Sequence, residues 1–253
     1  MKFVRFQQGD SVRNGILENG HIRAIQGSPF TKNPDITGEA FPRDSVKLLH
    51  PCEPSKIVCV GINFSDHAAE FKKGLPKEPI IFLKPPSALL APDEAIRLPG
   101  RSRRVDFEGE LGVVIGKKAS RIRPEEAGEY IFGYTCVNDV TARDLQKSDW
   151  QWARSKGFDT FAPVGPCIET ELSPSDLRIE SFLNGEARQS ASTGDMIFGV
   201  PELISFISNV MTLLPGDLIP TGTPAGVGPM KEGDRIEIRI EGIGSLMNTV
   251  KND

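Results

Sequence analysis

The chain has 253 residues, 38% hydrophobic and 25% charged, enough for one large core or for a large unit with a small one beside it. Its 30 basic and 34 acidic residues leave a formal net charge of −4, which favours neither nucleic acid nor an anionic membrane. Cys52, Cys59, Cys136 and Cys167 form no C-x-x-C pair, and no apolar run approaches the roughly 20 residues that span a bilayer.

The opening "MKFVRFQQGD" turns polar too early for a signal peptide, so a cytoplasmic protein with reduced thiols is expected. Residues 1–50 read as a small β unit. Two short apolar runs in "GILENGHIRAIQG" are joined by Glu18-Asn19-Gly20, a hairpin signal. The polar, Pro-rich "SPFTKNPDITGEAFPRD" follows without sustained periodicity. "KIVCVGINF" is the first strongly buried strand, which sets a boundary near Leu49–Pro54 and a second unit over 51–253. Beyond it come strand patterns in "IIFLKP", "VDFEGELGVVIG", "IFGYTCVND", "APVGPCI", "IESFLNGEARQ", "DLIPTG" and "RIEIRIEG". Helices are few and short, around Asp66–Lys73, Pro124–Glu129, Thr141–Gln146 and Pro201–Leu213. Strands in runs, rather than in βαβ alternation, predict a β-rich α+β fold.

Several stretches carry groups suited to chemistry. In "FSDHAAEFKKG", His67 and Glu70 are i and i+3 on one face of a short helix, so the carboxylate can orient the imidazole and raise its basicity. An exposed ion pair fits the same spacing. Flanked by Asn63 and by Gly74–Pro79, that helix is placed to order over a ligand as a lid. Lys84 ends the apolar run "IIFLK". In "VDFEGELGVVIG" the residues Asp106, Glu108 and Glu110 put carboxylates on alternate positions of an apolar strand, where uncompensated burial is costly. A solvated edge strand would accommodate them. The apolar continuation of that face and the nearby Gly109 and Gly112 argue against one.

A further acid, Asp139, ends the apolar run "YTCVND". With Glu108 and Glu110 it makes a hard oxygen set suited to Mg2+ or Mn2+. Only three histidines exist, so a three-histidine zinc site would consume all of them. Arg143 and Gln146 share a helical face after Asp139, and Lys156 follows in a loop rich in glycine. Beside a metal these groups suit a substrate carboxylate or an oxyanion. "LIPTGTPAGVGP" lacks the lysine of a phosphate-binding loop, and its Thr223 could hold a carboxylate.

Taken together, "GINFSDHAAE", "FLKPPSAL", "RVDFEGELGVVIG", "IFGYTCVNDVTARDLQ", "KGFDTFAPVGP" and "PGDLIPTGTPAGVGP" resemble the fumarylacetoacetate hydrolase superfamily in order and spacing, over about residues 52–250. The resemblance implies a mixed β-sandwich roll with a small N-terminal β domain, a homodimer, and one Mg2+ or Mn2+ per subunit on Glu108, Glu110 and Asp139. It implies that His67 and Glu70 activate a water, that Lys156 and Gln146 flank the substrate's oxyanion, and that Arg143 and Thr223 serve substrate binding; Lys84, at its strand's exit, is expected to add a charge to the substrate site. Asp106 belongs to the motif as a partner for a nearby cation. The fourth ligand aspartate of the larger hydrolases has no equivalent here, which argues against fumarylacetoacetate itself as substrate.

The implied chemistry is metal-dependent action on a 2-oxo or 2,4-dioxo acid through an enolate. Hydrolysis of a C–C bond in an acylpyruvate is the first expectation. Isomerisation or decarboxylation of a hydroxymuconate-type diacid, and decarboxylation of oxaloacetate, use the same residues. An inactive, metal-stabilised binding module is the alternative of another class. Specificity is expected in Phe71–Pro79 and Gln189–Phe198, where no pattern is readable.

Overall fold

A computed structural model describes residues 1–31, 34–70 and 74–253. Among them, twelve strands form one large sheet and five form a second. The backbone path of the large sheet runs from Asp35–Pro42 through His21–Gln26, Ser11–Glu18 and Lys2–Gln8 to Ala162–Glu169. It continues through Ile131–Asn138, Gly109–Ile115, Leu218–Pro220 and Ile57–Gly61 to Ile80–Lys84. The five-stranded sheet orders Glu186–Ser192, Arg178–Leu183, Arg235–Ile240, Gly244–Asn252 and Ala95–Leu98. This is the β-rich α+β architecture that the strand runs predict.

The two sheets are held by alternation. Leu111, Val113, Ile115 and Cys136 point from the large sheet into a core shared with Ile179, Ile236, Ile238 and Leu246 of the smaller one. Their neighbours Val114 and Val137 face the other way, against Ile57, Cys59, Val164 and Leu218. Gly109–Ile115 is therefore buried on both faces and paired on both edges. A solvated edge is excluded for the acidic strand, so its carboxylates need compensation from inside the protein.

The Asn19-Gly20 turn closes the hairpin of Ser11–Glu18 and His21–Gln26 with φ of 50° and 75°, the left-handed pair of a type I′ turn. Asn184-Gly185 repeats it between Arg178–Leu183 and Glu186–Ser192, with φ of 54° and 84°. The first four strands do not stand apart from the rest, because Lys2–Gln8 pairs with Ala162–Glu169. Several strands escaped the periodicity, among them Ala95–Leu98, Gly244–Asn252 and Asp35–Pro42, the last an edge strand with no buried residue and hence no alternation.

Arg143–Ser148 and Val200–Val210 are helical, close to expectation, whereas Pro124–Glu129 winds as a tighter 3-10 segment. Thr141–Ala142 is extended, so that helix begins later than its composition suggests. The helix predicted over Asp66–Lys73 is seen at Ser65–Glu70, and Phe71, Lys72 and Lys73 lie outside the described residues. No helix among the described residues is long and apolar enough to cross a membrane.

Asp217 ties the strand Leu218–Pro220 to the entry of Ile57–Gly61. It is fully buried and accepts from Ser55 N at 3.0 Å, Ser55 Oγ at 2.7 Å, Lys56 N at 3.2 Å and Leu214 N at 2.8 Å, and it pairs with Lys56 Nζ. Asp217→Ala strands these donors and should cost about 3–5 kcal/mol in urea unfolding. A loss below about 1 kcal/mol would show that water replaces the carboxylate there.

Candidate metal centre and active site

The acidic segment is not one continuous strand. Val105–Phe107 pairs with Thr141–Ala142 and Gly228–Pro229 in a small three-stranded sheet, while Gly109–Ile115 belongs to the large one. Glu108 sits at the break between them. Its N–H donates to Asn138 Oδ1 at 2.9 Å, and its carbonyl accepts from Asp139 N at 2.8 Å. The break separates Asp106 from the other two acids. Asp106 is instead gripped by Arg104, at 2.9 and 3.0 Å, and by Arg143 Nε at 2.9 Å, the cation partnership expected of it.

Glu108, Glu110 and Asp139 converge, with one carboxylate oxygen of each within 4.8 Å of the others. All three are almost wholly buried. Lys156 Nζ donates to Glu108 Oε2 at 2.7 Å and to Asp139 Oδ2 at 2.5 Å. Arg143 Nη2 pairs with the other Glu108 oxygen. Lys84 Nζ pairs with Asp139 Oδ1 and donates to Val140 O at 3.0 Å, which sets it behind Asp139. Sequence placed Lys156 in a loop; it ends a single helical turn, Ala153–Lys156, whose last residues are buried.

The charges are unevenly compensated. Burial alone would raise the Glu108 carboxyl, but the Arg143 and Lys156 cations hold it well below the ordinary carboxylate range. Burial disfavours the Lys156 ammonium, yet Asp139 and Glu108 over-compensate and keep it charged. Glu110 is the exception. Burial and the neighbouring Asp139 and Glu108 carboxylates push it well above its usual value, and its hydrogen bond among the described residues is from Gly222 N at 2.8 Å. Three convergent carboxylates with one undercompensated fit a hard divalent cation such as Mg2+ or Mn2+.

His67, on the helix Ser65–Glu70, faces this cluster across one pocket. Its Nδ1 lies 3.3 Å from Glu70 Oε2, an i, i+3 pair. The residue is only 7% exposed, and burial lowers its pKa despite the pull of Glu108 and Glu70. The pocket's polar wall is His67, Glu108, Glu110, Arg143, Gln146, Lys156 and Thr223. Its apolar wall includes Val60, Ile62, Phe82 and Trp152, whose last two rings meet edge-on at 5.2 Å. Gln146 Oε1 accepts from Arg143 Nη1 at 3.0 Å. The Thr223 hydroxyl donates to Gly109 O at 2.9 Å and accepts from Gln189 Nε2 at 2.7 Å.

Two residues at the site were not singled out for it by the sequence. Asn138 precedes Asp139 in the quoted motif and could have been suspected. Gln189 fell in a stretch without pattern, because its strand neighbours Ala187, Arg188 and Ser190 are all exposed. Chemically the pocket combines a site for a cation, an ammonium and a guanidinium for anionic oxygens, and a base able to take a proton. That set suits proton abstraction beside a carbonyl or activation of a water.

Comparison with known proteins agrees with that chemistry. The family model for the fumarylacetoacetate (FAA) hydrolase C-terminal region matches residues 56–251, and an Rv2993c-like N-terminal model matches residues 1–51. A 2-hydroxyhepta-2,4-diene-1,7-dioate isomerase from Mycobacterium marinum superposes with a TM-score of 0.94 at 46% identity, covering 100% of this chain and 99% of its own. The mitochondrial oxaloacetate tautomerase FAHD2A of Bos taurus is 44% identical over 83% of this chain and 71% of its own. Maleylpyruvate hydrolase from Sphingobium sp. SYK-6, solved with manganese(II) and pyruvate, gives a TM-score of 0.83 at 30% identity over 100% of this chain and 99% of its own.

Proposed function

The chain belongs to the fumarylacetoacetate hydrolase superfamily, and on that premise we propose that it is a Mg2+- or Mn2+-dependent tautomerase or isomerase of 2-oxo acids. The observation that carries the proposal is buried His67, backed from the solvent side by the more exposed Glu70, lining one pocket with Glu108 and Glu110 of the acid cluster. An isomerase and a tautomerase stand among the comparisons at 46% and 44% identity, whereas the named hydrolases stand at 30–38%.

Glu108, Glu110 and Asp139 would hold the cation, which would polarise the 2-oxo group and make the adjacent C3–H acidic. His67, neutral at physiological pH, takes that proton on the nitrogen opposite Glu70. Glu70 aligns the ring and favours the imidazolium that forms. Lys156, kept charged by its acidic neighbours, and Gln146 offer donors to the oxygen that gains charge. Returning the proton to a different carbon completes an isomerisation; returning the original one to oxygen completes a tautomerisation.

C–C hydrolysis of an acylpyruvate is the second reading, favoured by the same dyad, since a base that takes a C–H proton can take one from water. The assay pair that separates them is enol–keto conversion of oxaloacetate, with deuterium uptake at C3, against pyruvate release from an acylpyruvate. Each is run with Mn2+, with Mg2+ and with a chelator. Deuterium uptake without pyruvate release supports the first reading, and the reverse supports the second. Silence in both assays with both metals refutes the proposal.

Because burial lowers the His67 pKa, the base stays unprotonated below its ordinary value. The acid limb of kcat/KM should therefore fall below pH 6.5, the usual histidine value. A limb above that value would assign the base to another group. A homodimer is proposed on family grounds alone, and light scattering at twice the chain mass checks it.

A further inference from the structure

We propose that Gln189 is a positioning residue that sets the spacing of the two glutamates in the acid cluster and locks Thr223 to them. The inference rests on the metal-dependent reading above. Gln189 lies on the hairpin strand Glu186–Ser192 of the smaller sheet, yet it is only 1% exposed.

A primary amide can make four hydrogen bonds, and here all four are made. Oε1 accepts from Gly109 N at 3.0 Å and from Ser181 Oγ at 2.6 Å. Nε2 donates to Thr223 Oγ1 at 2.7 Å and to Pro224 O at 2.7 Å. The Thr223 hydroxyl then spends its single proton on Gly109 O at 2.9 Å. Both backbone polar groups of Gly109 are thus held by one side-chain clamp, and Gly109 is the residue between Glu108 and Glu110.

The clamp explains the glycine. A Cβ on Gly109 would stand 2.3 Å from Ser181 Oγ and 3.2 Å from Gln189 Oε1, so any larger residue would push the amide away. It also joins two functions. Thr223 lines the pocket, and its hydroxyl is oriented by the amide that fixes the glutamate pair. Residues that orient ligands from behind, once removed, lower metal affinity by about 10–100-fold.

The test separates positioning from plain support of the core. Gln189→Leu keeps the bulk and deletes the clamp; Gln189→Asn keeps the amide and withdraws its reach. Ser181→Ala removes one bond to Oε1 and leaves those to Gly109 and Thr223. In Mn2+ calorimetry both Gln189 variants should bind about 10–100-fold more weakly, while Ser181→Ala stays within about twofold of wild type. In steady-state assays at saturating Mn2+, the Gln189 variants should raise KM more than they lower kcat, because Thr223 is released. If Gln189→Leu does not fold, Gln189→Asn carries the same expectation.

Two results overturn the proposal. One is a folded Gln189 variant that binds Mn2+ as wild type does and loses only unfolding temperature. The other is a Ser181→Ala loss as large as that of Gln189→Leu. Wild-type protein that takes up no Mn2+ overturns the metal reading and this proposal together, whereas normal wild-type uptake with unaffected Gln189 variants overturns this one alone.

Discussion

Glu110→Gln should abolish tight Mn2+ binding while the metal-free protein unfolds no earlier than wild type. Most ligand deletions in a buried site damage the fold; this one should spare it. Glu110 is surrounded by the Asp139 and Glu108 carboxylates and is pushed well above its ordinary pKa by burial and by those charges. A neutral amide of the same shape keeps an oxygen for Gly222 N and removes the repulsion. The cation, by contrast, loses the carboxylate least engaged by protein cations. Affinity should fall on the order of 100-fold or more, beyond the range for residues outside the ligand set.

Two measurements follow from that division. In wild-type protein, Mn2+ at a hundred times its dissociation constant should add about 2.7 kcal/mol, or about 5–10 °C of unfolding temperature at this size. In Glu110→Gln that increment should vanish while the metal-free transition stays in place or rises. Glu108→Gln is the contrasting case. Glu108 neutralises Arg143 and Lys156 inside the protein, so its loss leaves buried cations uncompensated at a cost of about 3–5 kcal/mol. Unchanged calorimetric affinity in Glu110→Gln would remove Glu110 from the ligand set.

The contrast between the two glutamates was not readable in the sequence, although the acids themselves were. Alternation places carboxylates in an apolar strand and says that they need a partner; it does not say which partner each receives. The break at Glu108 is invisible to periodicity, because Val105, Phe107, Leu111 and Val113 keep alternating across it while the chain changes sheets. Periodicity alone therefore puts Asp106 in the acid row; the resemblance gave it a cation partner instead, and it braces Arg104 and Arg143.

The same limit applied elsewhere. Asn19-Gly20 and Asn184-Gly185 were legible because a left-handed turn restricts residue choice locally. Asp35–Pro42 was not, since an exposed edge strand buries neither face. Gln189 was hidden for the opposite reason. Its burial comes from a second sheet laid over it, a contact between residues 80 positions apart in the chain. The resemblance supplied the ligand set and the dyad, which local pattern left open as a surface ion pair and a wet strand.

His67→Ala should lower turnover by on the order of 10²–10⁴-fold, the usual contribution of a positioned base, and leave Mn2+ affinity unchanged. The two readouts separate because His67 hydrogen-bonds to Glu70 and contributes no carboxylate to the acid cluster, acting on Glu108 through charge alone. Glu70→Gln should lose less activity than His67→Ala, since the imidazole remains and only its alignment and charge stabilisation are weakened. It should also shift the acid limb of kcat/KM further down, because Glu70 favours the protonated ring and its neutralisation withdraws that support. The direction matters more than the size. A limb that stays or moves up in Glu70→Gln would mean that the carboxylate does not support the protonated ring. Full activity in His67→Ala with normal metal binding would leave proton transfer to Lys156 or to solvent, and the proposed reaction would lose its base.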